Sequence, residues 1–211
     1  MDRKIFEEKF NEAPETLEDN RVFDVIKMSI DSTPITDNGC KNLIVAMEEI
    51  AELQVELVSA LTKKADRFGL IEEFTDFGIA LRWVCEICKL DDDKIDIYLE
   101  TLVDNFIRSN KLSLSELICK AIKDLAELQK QISKVLRGKE DKTKLTDLYC
   151  IALTEIGIIM TNFGITRDEL NKALNVKIDK IEAFHKEQDA IKGNNNVELA
   201  ELMREYIKAL K

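Results

Sequence analysis

Apolar positions recur at intervals of three and four along most of the chain, and alternating runs of strand type are absent. The clearest stripe is Leu43, Met47, Ile50, Leu53 and Leu57, which predicts a helix from about Asn42 to Leu61. A basic loop, Lys63–Gly69, follows it. Phe74, Phe77, Leu81, Val84 and Cys88 then predict a second helix from about Ile71 to Cys88. Asp91–Asp93 read as a short loop and helix cap, because Asp is a favoured N-cap and negative charge suits a helix start. A third helix is predicted from about Lys94 to Arg108. Only two prolines and seven glycines punctuate the chain, too few for the many turns of a β-sandwich.

The same pattern occurs twice. Shifted by 75 residues, the chain aligns with itself without a gap: AMEEIAELQVELVSALTKKADRFGL, from Ala46, falls on AIKDLAELQKQISKVLRGKEDKTKL, from Ala121. Ala51-Glu52-Leu53-Gln54 matches Ala126-Glu127-Leu128-Gln129, and Asp66, Leu70 and Asp93 match Asp141, Leu145 and Asp168. Apolar character is kept at Ile50/Leu125, Leu57/Ile132 and Leu90/Ile165. The chain therefore divides into an N-terminal helix and loop (1–40), a first unit (41–112), a second unit (113–188) and a C-terminal helix (189–211). The N-terminal helix is placed at about Leu17–Ile30, before a loop Asp31–Gly39 that holds Pro34. A turn is expected at Gly193–Asn196, ahead of a final helix Val197–Leu210. One three-helix unit would leave an apolar stripe exposed. The expected fold is an all-α helical bundle in which the two units pack face to face as a covalent pseudo-dimer. Leu125, Leu128, Ile132 and Leu136 would then meet Ile50, Leu53, Leu57 and Leu61.

The net charge of −10 makes nucleic acid and anionic membranes poor partners. No apolar run approaches the roughly 18 residues that span a bilayer, and the opening MDRKIFEEKF has no apolar signal core. The five cysteines sit mostly in apolar helical runs and are expected to be reduced, buried thiols of a cytoplasmic protein. Cys85 and Cys88 form a C-x-x-C, but no second pair follows at zinc-site spacing and the only histidine, His185, is remote in sequence. His185 is expected at the surface.

Candidate chemistry lies in acidic residues. Glu48-Glu49-x-x-Glu52 stands on the first predicted helix and Glu72-Glu73-x-x-Asp76 opens the second. Carboxylates at i and i+3 share a helix face, so antiparallel packing would let Glu49, Glu52, Glu73 and Asp76 converge. Four convergent carboxylates need a counter-charge, and Mg²⁺ supplies one with its preference for hard oxygen ligands. The plain alternative is that both acidic pairs are solvated helix faces.

The arrangement resembles the all-α nucleoside triphosphate pyrophosphohydrolases, the superfamily of MazG, HisE and the dimeric dUTPases. The resemblance lies in AMEEIAEL and LIEEFTDFGIAL, which match the family's E-x-x-E and E-x-x-D on successive helices, and it covers roughly residues 35–186. It implies a Mg²⁺-dependent hydrolysis of nucleoside triphosphate to monophosphate and pyrophosphate, with Mn²⁺ as a possible substitute. Glu49, Glu52, Glu73 and Asp76 would be ligands, and Glu49 or Glu48 the general base. It also implies phosphate contacts from the third helix of each unit: Asn105 and Arg108 in the first, with Thr101 where a Lys is frequent, and Lys177 and Lys180 in the second. Unit two keeps Asp124 and Glu127, but Leu148 and Ile151 replace Glu73 and Asp76, so its site should be dead. Two other readings stand beside this one: a degenerate relative that binds or sequesters a nucleotide without turnover, and a helical adaptor with no site. Trp83 and Phe77 are placed in the core in preference to stacking on a base, and association into a homodimer stays open.

Overall fold

A computed structural model describes the backbone of residues 3–31, 40–109, 112–139 and 141–209, with the side chains of 19, 105–109 and 189–209 outside that description. Eight helices and no strand occur among the described residues. They are α1 (Arg3–Glu12), α2 (Asp19–Asp31), α3 (Cys40–Leu61), α4 (Arg67–Cys88), α5 (Asp92–Ser109), α6 (Leu114–Leu136), α7 (Lys142–Asn162) and α8 (Arg167–Ala209).

The 75-residue repeat is visible in the local chemistry. Asp66 caps α4 by accepting from the Gly69 N–H, and Asp141 caps α7 by accepting from the Lys144 N–H. The left-handed positions also pair: Lys63 (φ 58°) matches Gly138 (φ 65°), and Lys89 (φ 51°) matches Gly164 (φ 64°). The same backbone turn is thus built in both units, with the conformation free of Cβ strain only where glycine stands.

α3 pairs with α4 and α6 with α7 as antiparallel hairpins, and α3 crosses α6 at the centre. Ile50, Leu53 and Leu57 on α3 and Leu125, Leu128 and Ile132 on α6 are all fully buried, while Leu61 and Leu136 pack at the edge of the same core. Two side-chain bonds cross this seam reciprocally. Gln54 Nε2 donates to the Ile122 carbonyl and Gln129 Nε2 donates to the Met47 carbonyl, each at 2.8 Å. Gln54 and Gln129 are matched positions, as are Met47 and Ile122, so the two bonds are related by a pseudo-two-fold axis. The third helices exchange partners accordingly: α5 lies on α7, and α8 lies on α4.

The ends of the chain depart from expectation. An unforeseen helix, α1, inserts Phe6 (0% exposed) and Phe10 into the core, and Phe10 meets Phe68 edge-on. The Arg3 guanidinium bonds Asp66 and lies so close over Gly69 that a Cβ there would sit 1.9 Å from Nη2. Lys144 occupies the matching place in unit two, and no such strap covers it among the described residues. α2 begins at Asp19, slightly later than expected, and docks on α8 through Arg21, which bonds Asp179, Glu182 and Asn175. The loop expected at Asp31–Gly39 lies, beyond its first residue, outside the described residues. The turn expected at Gly193–Asn196 is not formed; α8 runs through it to Ala209. Glycine lowers helix preference by about 1 kcal/mol but, unlike proline, keeps its N–H and clashes with nothing. The loop after α3 is also shorter than expected, since Arg67–Gly69 already belong to α4.

Cys85, Cys88 and Cys150 are buried as expected, but Cys119 is exposed and Cys40 half-buried, and none of the five forms a disulfide. Phe77 is in the core. Trp83 is half-buried with its indole N–H unpartnered. His185 is half-buried against the edge of Phe184 rather than free at the surface. No single described helix is long and apolar enough to cross a membrane.

Candidate metal centre

Because α3 and α4 are antiparallel neighbours, the acidic face of one meets that of the other. One carboxylate oxygen each from Glu49, Glu52 and Glu73 lies within 4.8 Å of the other two. Glu49 and Glu73 are half-buried and Glu52 is exposed, so the cluster opens to solvent on the Glu52 side. Glu73 Oε2 is buried and has no hydrogen-bond partner. An unpartnered buried carboxylate oxygen is costly and rare in native structures.

The electrostatics reflect this crowding. Burial, followed by the charges of Asp76 and Glu52, pushes both Glu49 and Glu73 up to about 7. Burial raises Asp76 as well, with Lys177 acting against it.

Asp76 does not face the three glutamates alone. Lys177, from α8, donates to Asp76 Oδ2 at 2.5 Å and to Glu72 Oε1 at 2.7 Å. Its side chain is only 6% exposed, and the ammonium sits 5.2 Å from the centroid of the Phe6 ring of α1. Burial alone would lower the Lys177 pKa, but Asp76 and Glu72 more than offset it and hold the ammonium charged. The sequence pattern thus brings together Glu49, Glu52 and Glu73, with Asp76 adjoining them but already paired. It also placed Lys177 in the neighbourhood, though as a base facing phosphate rather than as a buried ion-pair partner. Lys180 adds positive potential at Glu49 and Asp76. Glu48 is exposed and its carboxylate is not among those that converge. The side chains of Asn105 and Arg108 lie outside the described residues. Two residues went unanticipated: Glu72, 7% exposed despite its charge, and Phe6. The signal for the first lay at its partner, because Lys177 interrupts a buried run of Ala173, Val176 and Ile178. A lysine in such a run must be paired.

Unit two offers a contrast at matched positions. Asp124, which matches Glu49, bonds Lys120 at 2.8 Å, and Lys120 also bonds the buried Glu155. Glu127, which matches Glu52, is held by Lys130 at 3.1 Å. With Leu148 and Ile151 replacing the other two acids, both remaining carboxylates of the matched set, Asp124 and Glu127, are bonded by a lysine. Among the described residues no cation is bonded to Glu49, Glu52 or Glu73, and their three hard oxygens could hold a divalent ion of the Mg²⁺ or Mn²⁺ type, which takes carboxylate and water oxygens.

No family model, curated protein or solved structure matches the chain.

Proposed function

We propose that the chain is a divalent-cation-dependent nucleoside triphosphate pyrophosphohydrolase. The observation that carries this reading is the convergence of Glu49, Glu52 and Glu73 with an unpartnered buried oxygen on Glu73. Such a set is destabilising in isolation and becomes favourable when a cation joins it. When bound, Mg²⁺ or Mn²⁺ supplies Lewis-acid polarisation of phosphate oxygens. The rest falls to the chain. Glu52, at the open side, would meet the incoming ligand first. Lys180 would draw the negative phosphates toward the cluster and away from the acidic surface elsewhere. Glu49 would orient the attacking water as general base, as the family resemblance implies. The assignment to nucleotides rests on the family resemblance of the two acidic motifs, and pyrophosphate release from a panel of ribo- and deoxyribonucleoside triphosphates tests it. Release that needs Mg²⁺ and disappears in Glu52→Gln is the expected result.

One observation favours a second reading, nucleotide binding without turnover: Lys177 already holds Asp76, which leaves three carboxylates facing the cation instead of four. Saturable, Mg²⁺-dependent nucleotide binding with no pyrophosphate released would decide for it. An absence of any saturable divalent site would leave only a helical adaptor.

A further inference from the structure

We infer that Lys177 is a resident counter-cation, filling one of two cation positions in the acidic cluster, so that the chain takes one divalent ion and does not use Lys177 to bind phosphate. The inference rests on the reading of the cluster as a cation site.

Five carboxylates meet at the α3–α4–α8 junction: Glu49, Glu52, Glu72, Glu73 and Asp76. They fall into two groups. Glu49, Glu52 and Glu73 converge without a bonded cation. Glu72 and Asp76 are bridged by one ammonium at 2.7 and 2.5 Å, the separations and donor geometry of a charge-assisted clamp. An ammonium has three N–H donors. Two are directed at the carboxylates, and the Phe6 ring covers the remaining side. A side chain 6% exposed and so enclosed has no free face for a phosphate oxygen.

The internal repeat supplies an independent comparison. α5 lies on α7 as α8 lies on α4, and the position matching Lys177 is Leu102. The positions matching Glu73 and Asp76 are Leu148 and Ile151. Of the two acids that Lys177 bonds, Asp76 is thus absent from unit two together with the lysine, while Glu72 is matched by an acid, Asp147. A lysine that served phosphate would not need Asp76, whereas one that serves Asp76 becomes a buried, unpaired charge without it. Unit two uses the same device from another position, with Lys120 bridging Asp124 and Glu155. In each unit a lysine bridges two carboxylates, and in unit one three more converge without a bonded cation.

The test counts Mn²⁺ ions per chain, by isothermal titration and by electron paramagnetic resonance of free Mn²⁺. The full-length protein is compared with Lys177→Met and with Lys177→Met/Glu72→Gln/Asp76→Asn. We expect one ion in the wild type, two in Lys177→Met and one in the triple variant. Two ions in the wild type, or one in Lys177→Met, would overturn the role given to Lys177 and leave the cation site standing. None in the wild type would overturn the cation site itself, and the inference with it. Should Lys177→Met fold only when Mn²⁺ is present, that rescue supports the inference. Should it not fold at all, the triple variant decides. One ion there is the expected result, and none would mean that Glu72 and Asp76 ligate the single ion and that Lys177 does not replace a second.

Discussion

Glu73→Gln should make the metal-free protein more stable. In the wild type at pH 8 the Glu73 carboxylate is charged, half-buried, near Asp76 and Glu52, and has one oxygen unpartnered. Held at about 7 rather than its ordinary 4.5, it carries a folding cost with an upper bound of ~3.4 kcal/mol at 1.36 kcal/mol per pH unit. The side chain is only half-buried, so solvent screening reduces this to roughly 1–2 kcal/mol. Gln keeps the shape, removes the charge and adds an amide donor that can reach a neighbouring carboxylate oxygen. At about 2–4 °C per kcal/mol for a chain of this size, the melting temperature in EDTA at pH 8 should rise by about 2–8 °C. The pH dependence follows from the sign. A carboxyl whose folded pKa is raised costs nothing below its unfolded value and its full amount above its folded one. The advantage of Gln should therefore vanish near pH 4.5, grow between 4.5 and 7, and level off above. In millimolar Mg²⁺ the order should reverse, because the wild type gains about 2.7 kcal/mol when the ion is at a hundred times its Kd and the variant has lost a ligand. Differential scanning calorimetry of both proteins, with and without Mg²⁺, across pH 4.5–8.5 reads all of this. A Glu73→Gln protein less stable than wild type in EDTA at pH 8, or one that keeps the full Mg²⁺-induced shift, would refute the reasoning.

Three further outcomes are expected. Glu52→Gln should abolish pyrophosphate release, while Glu127→Gln, at the matched and Lys130-paired position, should retain most of it; equal damage from both would point to a composite site. Lys89→Gly should stabilise the fold by up to about 1 kcal/mol in urea unfolding by removing a side chain from φ 51°, and Gly164→Ala at the matched φ 64° should destabilise it by a similar amount. Gln54→Ala and Gln129→Ala should each cost about 1–3 kcal/mol in the same assay, since each leaves a carbonyl at the seam between units without its donor.

The parts of this fold legible in the sequence are those set by local period. α3, α4, α6 and α7 carry apolar stripes over five or six turns, and the matched stripes also foretold that α3 would meet α6. α1 was not legible, because a helix of 10 residues with two buried positions, Phe6 and Phe10, gives too short a stripe to stand out from a charged segment. α8 misled in the other direction: Gly193 and the three following asparagines have turn composition, yet no residue there forbids helix. At the candidate site, convergence of Glu49, Glu52 and Glu73 followed from i, i+3 spacing and hairpin packing. The engagement of Lys177 did not, since its partners lie 105 and 101 residues earlier in the chain and nothing local encodes that meeting. Asp76 adjoins the three glutamates, and its bond to Lys177 is the part that no local pattern encodes.

The comparison of the two units separates what the fold requires from what the site requires. Across the seam the matched positions keep their roles: both glutamines still donate to the matched carbonyls, and the buried leucines and isoleucines exchange only within class. Even the left-handed turns persist where one unit has glycine and the other lysine, so the backbone path does not depend on the residue best suited to it. At the acidic positions the units part. Unit two has apolar residues, Leu148 and Ile151, where unit one has Glu73 and Asp76, and its other two acids are paired, Asp124 with Lys120 and Glu127 with Lys130. Unit one keeps three glutamates against one another, which no structural requirement explains: the matched positions of unit two show that the same hairpin packs well without them. A crowded set of carboxylates that the fold does not need, retained in only one of two otherwise equivalent frames, is a local departure from the stable solution. That departure supports the proposal that the chain works at Glu49, Glu52 and Glu73, while unit two buries the apolar face of unit one across the α3–α6 seam.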